Sequence, residues 1–374
     1  MSLFLNIPVE LRKLIIEHVL YTPLSPPVAP CTSDGVKYRD MSYKAWTSGV
    51  YYTQRNKPSS SDCLSLLLTN HQLSTETLHI LEHRRVDHTL DISVKDDLEL
   101  YLTWLSVPCL TTHVSTLYAN VRLFGHIIEQ RTARCQLGDG GRLGFHWSFY
   151  AALERFLRYG PVGEKKREGE EPDAESSAHR CRDDTEDFQD RGVAIKTLVL
   201  DFQSAELELS FPPEDVSYKH WRWWHCGRDM RSPSAGLEPL SSYKTRPQWL
   251  CQYLRMEIGG LLKMSYHTAR YGQPLYEHIE TIRMLVDGQL VDELDLAAWL
   301  ARLHFTDPGD TMGHLVREQR LSSFEEWKTE TWSLRKERGL HFGVPKSVPK
   351  TSTSDIKIKS RQIPRRLRHG RWAH

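Results

Sequence analysis

The stretch HWRWWHC, residues 220–226, holds the densest run of reactive side chains in the chain. His220, His225 and Cys226 carry the nitrogen and sulfur donors that a borderline-soft ion such as zinc takes up. A structural zinc site needs a fourth ligand, and none lies nearby at a spacing that matches a zinc signature. The reading is therefore no metal and no other cofactor. Trp221, Trp223 and Trp224 sit among these donors. Core packing is the first reading of such a cluster, and a recognition surface is the second, since exposed Trp and Arg are typical binding hot spots. The glycines of GDGGRLG, residues 138–144, are spaced G-x-G-G-x-x-G, and they read as a flexible turn and not as a phosphate cradle. The chain contains no G-x-x-x-x-G-K-[ST], H-E-x-x-H or G-x-S-x-G pattern. No catalytic residue is assigned, and the expectation is a protein that is not an enzyme. His18 and His71 read as structural.

Bulk properties point the same way. With 49 basic and 48 acidic residues the formal charge is +1, so no global field calls for nucleic acid or a membrane surface. The charge is unevenly placed, however. Residues 164–190 carry eleven acidic against five basic side chains, and residues 344–374 carry nine basic against one acidic. Neither segment holds enough apolar surface to offset its ordering entropy, so both read as disordered. The basic run RQIPRRLRHGR, residues 361–371, is a candidate nuclear-import patch, but it lacks the interleaved aromatics of a single-strand binder. Nucleic acid is thus an unlikely partner. The seven cysteines are scattered and odd in number, as in a reduced chain of the cytoplasm or nucleus. Glu10, Arg12, Lys13 and Glu17 break the N-terminal apolar run, and nothing approaches the roughly 20 apolar residues of a membrane span.

Several elements must position whatever these residues do. Apolar periodicity predicts helices over 7–20, 64–83, 98–105, 145–159, roughly 246–264 and 295–303. Alternation predicts strands over 88–94, 115–124, 195–202 and 279–286, the last ended by an Asp-Gly turn. Residues 21–62, rich in Pro and Ser, read as a loop-like insertion. The strand spacings are too uneven for a leucine-rich array. Strands alternating with helices imply helices packed on a sheet.

The first helix is apolar over more than one face. Leu11, Leu14, Ile15, Ile16, Val19 and Leu20 spread well beyond the stripe, a little over 100° wide, that a surface helix needs. In IPVELRKLIIEHVL, residues Ile7, Pro8, Glu10, Leu11, Leu14 and Ile15 occupy the places of a Leu-Pro-x-Glu-Leu opening and its helix. That segment resembles the start of an F-box. LLLTNHQLSTETLHIL resembles its second part, and TWLSVP, FLRYGP and IRMLVDG are similar to recurring pieces of a class of fungal F-box-like proteins. The departure is the insertion at 21–62, since F-boxes are ordinarily contiguous; loop closure itself is cheap, about 0.6 kcal/mol per doubling of length.

The alternating elements, the composition of the tail and the resemblance together imply an α+β chain in three parts. An F-box-like helical segment spans residues 1–84, an irregular α/β domain spans 85–340, and a disordered basic tail spans 341–374. The resemblance further implies that residues 7–15 bind the adaptor subunit of a cullin-based ubiquitin ligase while the α/β domain presents a protein target. A scaffold of the same family without a ligase role is the alternative. Two fates of the surplus apolar surface stay open: docking a partner, or packing internally on both faces. Solvent exposure of the helix distinguishes them.

Overall fold

The computed structural model describes residues 3–30, 35–37, 49–53, 63–96, 99–125, 145–161, 192–204, 211, 245–265, 268–305 and 317–342. The strands are β1 (Gly35–Lys37), β2 (Val50–Thr53), β3 (Asp87–Lys95), β4 (Glu99–Ser106), β5 (His113–Phe124), β6 (Ala194–Ser204), β7 (Ile279–Val286) and β8 (Gln289–Asp295). They form one eight-stranded mixed sheet in the order β1-β2-β4-β3-β5-β6-β7-β8. The middle strands β3, β5, β6 and β7 are mutually parallel, and antiparallel β8 closes one edge. The helices are α1 (Val9–Tyr21), α2 (Cys63–Leu67), α3 (His71–His83), α4 (Phe145–Tyr159), α5 (Pro247–Leu262), α6 (Ala269–His278), α7 (Leu296–Arg302) and α8 (Arg317–Glu337). The chain is α+β.

Register explains the layering. Leu90, Ile92 and Val94 pair with Ala119, Val121 and Leu123, and Leu117, Ala119 and Val121 pair in turn with Leu198, Leu200 and Phe202. Ile282, Met284 and Val286 continue these rows. All lie on one side of the pleat, and they share a single buried core with residues of α4 to α8. The parallel strands β5, β6 and β7 advance in one direction across the sheet, so right-handed crossovers bring the intervening helices to the same face. Arg335 of α8, fully buried, donates to the carbonyl oxygens of Ile279 at 2.8 Å and Tyr276 at 2.5 Å, satisfying acceptors at the end of α6.

Three expectations are corrected. Residues 98–105 were expected to be helical; Glu99–Ser106 is strand β4, buried on both faces. A strand covered on both sides loses its alternation, and its leucines then mimic a helical spacing. The expected helix 64–83 is two helices. Asn70 interrupts it in an extended conformation, and its side chain accepts from the Leu73 amide at 3.0 Å as the N-cap of α3. The insertion at 21–62 is not only loop, because β1 and β2 lie within it and β2 pairs in parallel with β4. It therefore contributes to the sheet of the domain expected to begin at 85. Helices α6 and α8 and strand β8 were not foreseen.

Candidate docking surface

The helical unit has a small core of its own. Ile16 and Leu20 of α1, Cys63 of α2, and Leu73 and Ile80 of α3 are buried together, with Phe4, Leu5, Tyr21, Leu66, Leu67, Leu81 and Cys109 packed around them. On α1 the residues turned inward are Arg12, Ile16 and Leu20, spaced i, i+4, i+8. Arg12 is the unexpected member. Its guanidinium forms a two-pronged ion pair with Glu76 of α3, at 2.6 and 3.1 Å. It also donates to the carbonyl oxygens of Leu5, at 3.0 Å, and Ile7. The hydrogen bonds from Arg12 hold the Glu76 carboxyl below the usual carboxylate range. One side chain thus ties the entry turn, α1 and α3 together. At the far end Arg84 pairs with Glu17 at 2.5 Å and lies over the Tyr21 ring.

Fixing α1 on this side leaves its opposite side bare. Leu11, Leu14, Ile15 and Val19 are 51%, 60%, 41% and 51% exposed. With His18 they form one continuous stripe along the helix. Of the six residues expected to bind a partner, Leu11, Leu14 and Ile15 lie on this stripe, and Pro8 and Glu10 are exposed beside it. Ile7 is half-buried, and its carbonyl is engaged by Arg12. Pro8 sits at the N-cap of α1, just outside the first turn. Leu64 of α2, Leu68 just after it and Leu78 of α3 add exposed apolar surface to the unit.

The unit is joined to the sheet where β4 ends. The Cys63 amide donates to the Pro108 carbonyl at 3.1 Å, the Leu24 amide to the Leu105 carbonyl at 2.8 Å, and the Ser106 hydroxyl to the Leu20 carbonyl at 3.4 Å. The segment TWLSVP is therefore the seam between the two parts.

The sheet face opposite the helices is polar. Asp91, Ser93 and Arg122 form a hydrogen-bonded cluster, with Arg122 contacting Asp91 at 2.5 and 2.9 Å and donating to the Pro27 carbonyl at 2.7 Å. Asp201 accepts from the Tyr118 hydroxyl at 2.8 Å, the Gln203 amide at 2.6 Å and the Gly288 amide at 2.9 Å. Burial, and then this contact with Asp201, push the Tyr118 hydroxyl up to about 12. Asn120 stands between the two carboxylates, in register with both.

Trp221, Trp223, Trp224 and their neighbours His220, His225 and Cys226 lie outside the described residues, as do the acidic segment 164–190 and the basic tail after 342. Among the described residues no three His, Cys, Asp or Glu side chains converge as metal ligands, and no helix is long and apolar enough to cross a membrane. Sequence reasoning missed Arg12, Glu76 and Val19. For Arg12 the available signal was its place four and eight residues before two core aliphatics. Comparison with known proteins found no family model, no curated protein and no solved structure that matches this chain.

Proposed function

We propose that this chain is an F-box-like protein whose α1 stripe docks the adaptor subunit of a cullin-based ubiquitin ligase and whose sheet domain holds a protein target. The observation that carries the reading is the exposed row Leu11, Leu14, Ile15 and Val19 on a helix already anchored on its other side by Arg12, Ile16 and Leu20. An amphipathic helix presenting aliphatic side chains at this spacing suits an apolar groove. The resemblance of residues 7–20 and 64–83 to the two parts of an F-box supplies the class of partner. The insertion between those parts leaves α1 and α3 in contact, through the Arg12–Glu76 and Glu17–Arg84 pairs. Catalysis belongs to other subunits on this reading, and the chain contributes proximity and orientation. The sheet domain as a whole is where a target is held on this reading.

The test is a pull-down of the full chain with purified adaptor, beside a Pro8→Ala/Leu11→Asp variant. Both residues are exposed, so the variant keeps its fold. Capture of the native chain and loss of the variant supports the proposal. Failure of a folded native chain to bind overturns it in favour of a scaffold without a ligase role.

A further inference from the structure

The sheet ends on β8, and the side of that strand turned away from β7 carries no further strand among the described residues. An open edge offers a row of backbone N–H and C=O groups to any segment that can extend beside it. Gln289, Leu290, Val291, Glu293 and Asp295 are exposed along it. β8 holds three acidic residues, Asp292, Glu293 and Asp295, and no basic one. Glu293 and Asp295 share one face of the sheet, opposite Arg283 and Thr281 of β7. Arg283 pairs with Glu293 at 2.6 Å, and Asp295 caps α7 by accepting from the Ala298 amide at 3.0 Å, so both carboxylates are held in place.

The basic tail starts beside this edge. The His341 amide donates to the Glu280 carboxylate at 2.8 Å, and the next residue of β7, Thr281, is the partner of Asp295. The chain therefore passes Phe342 close to the end of β8. Farther on, Ile356 and Ile358 alternate with Lys357 and Lys359, which is the two-residue period of a strand. The intervening residues 343–354 span up to about 40 Å when extended, and β8 is about 24 Å long. Every position along the edge is within their reach.

We propose that residues 355–360 of this chain add to the sheet as a further strand along β8. Lys357 and Lys359 stand two residues apart, as Glu293 and Asp295 do, so one register sets both lysines opposite both acids. Opposite charges across neighbouring strands stabilise the pairing. Ile356 and Ile358 then fall on the other face, beside Leu294 of the buried core. A second copy of the chain is a poorer occupant. Pairing β8 with β8 sets acidic residues against acidic residues, and like charges directly opposite are destabilising. The added strand holds the basic run 361–371, which follows it directly, at the sheet edge. It involves neither α1 nor an adaptor, so it stands apart from the reading of that helix.

The experiment follows amide hydrogen exchange of the full chain, resolved by residue, beside Ile358→Pro and Lys357→Glu/Lys359→Glu, which change tail residues alone. In the native chain the amides of 355–360 should exchange at least about tenfold more slowly than unpaired backbone. Proline removes a ladder donor, and the glutamates meet Glu293 and Asp295 as like charges. Each variant should therefore abolish that protection and speed the outward amides of β8, while β3, β5 and β6 keep theirs. Native protection should weaken with added salt and stay the same at every protein concentration. Unprotected amides at 355–360 in the native chain, or protection that both variants leave intact, overturns the proposal. The edge is then guarded by its own acids and by the bulge at Val291. Protection that grows with protein concentration, together with a doubled mass in light scattering, overturns it in favour of a second copy.

Discussion

Leu14 and Leu20 stand on the same helix, six residues apart, and the structure assigns them opposite roles. Leu20 has no exposed surface, whereas Leu14 is 60% exposed. Truncating Leu20 to alanine removes fully buried carbons from a core with few members and leaves a cavity, at a cost of about 2–5 kcal/mol. The same change at Leu14 removes carbons that already face water, and alanine is an equally good helix former, so the cost stays within about 0.5 kcal/mol. Amide hydrogen exchange resolved to α1 and α3 reads both effects locally. Each 1.4 kcal/mol is about a tenfold change in an opening equilibrium. Leu20→Ala should therefore speed exchange across both helices by about thirtyfold or more, while Leu14→Ala leaves it within about threefold. The reverse holds for adaptor binding, where Leu14→Ala should weaken capture. Equal acceleration by the two variants would mean that Leu14 is packed, that α1 is internal on both faces, and that the docking surface does not exist.

Arg12→Met should strip exchange protection from α1 and the entry turn by leaving the Glu76 carboxylate without its cation and two carbonyls without their donor, and adding Glu76→Met should restore much of it. Because Arg12 holds the Glu76 carboxyl below its ordinary value, the native advantage is complete above about pH 4.3 and fades as the pH falls through the folded value. Native and Arg12→Met melting curves should accordingly converge in acid, and a difference that persists or grows there would contradict the ion pair. A second acid effect comes from His88, whose imidazole is held down at about 4, chiefly by burial, while it donates to the Cys109 carbonyl at 3.1 Å. The unfolded chain takes up this proton first, so the contribution of His88 is full above about pH 6.5 and falls by about 1.4 kcal/mol per pH unit toward pH 4. Comparing denaturation of His88→Gln with the native chain should reveal a shallower slope over that window; identical slopes would exclude His88 as the source.

Much of the layer arrangement was legible because it rests on local patterning. The alternation at 88–94, 115–124, 195–202 and 279–286 reports strands whose two faces differ, one packed under helices and one polar. The Asp287–Gly288 pair reads as a tight turn, and both residues adopt the positive φ that the hairpin from β7 to β8 requires. Local pattern failed where burial was two-sided, as in β4, or where the apolar signal was thin. Nearly half of helix α8 is charged, and its core contacts are a few residues such as Phe324 and Trp327. Its helical form depends on partners distant in the chain.

The sequence by itself determined that α1 carries more apolar surface than one core face can use, because that excess is a property of residue types at 3.6-residue spacing. It determined the α+β class in the same way. Which side of α1 is spent on the core was decided by tertiary structure alone. Arg12, read locally as one of the charges that break an apolar run, turns inward because Glu76, far along the chain, waits there together with two carbonyl acceptors. Burying a charge is tolerated only when such partners converge on it, and no spacing rule announces that convergence. The aliphatic stripe from Leu11 to Val19 faces water as the consequence of that pairing.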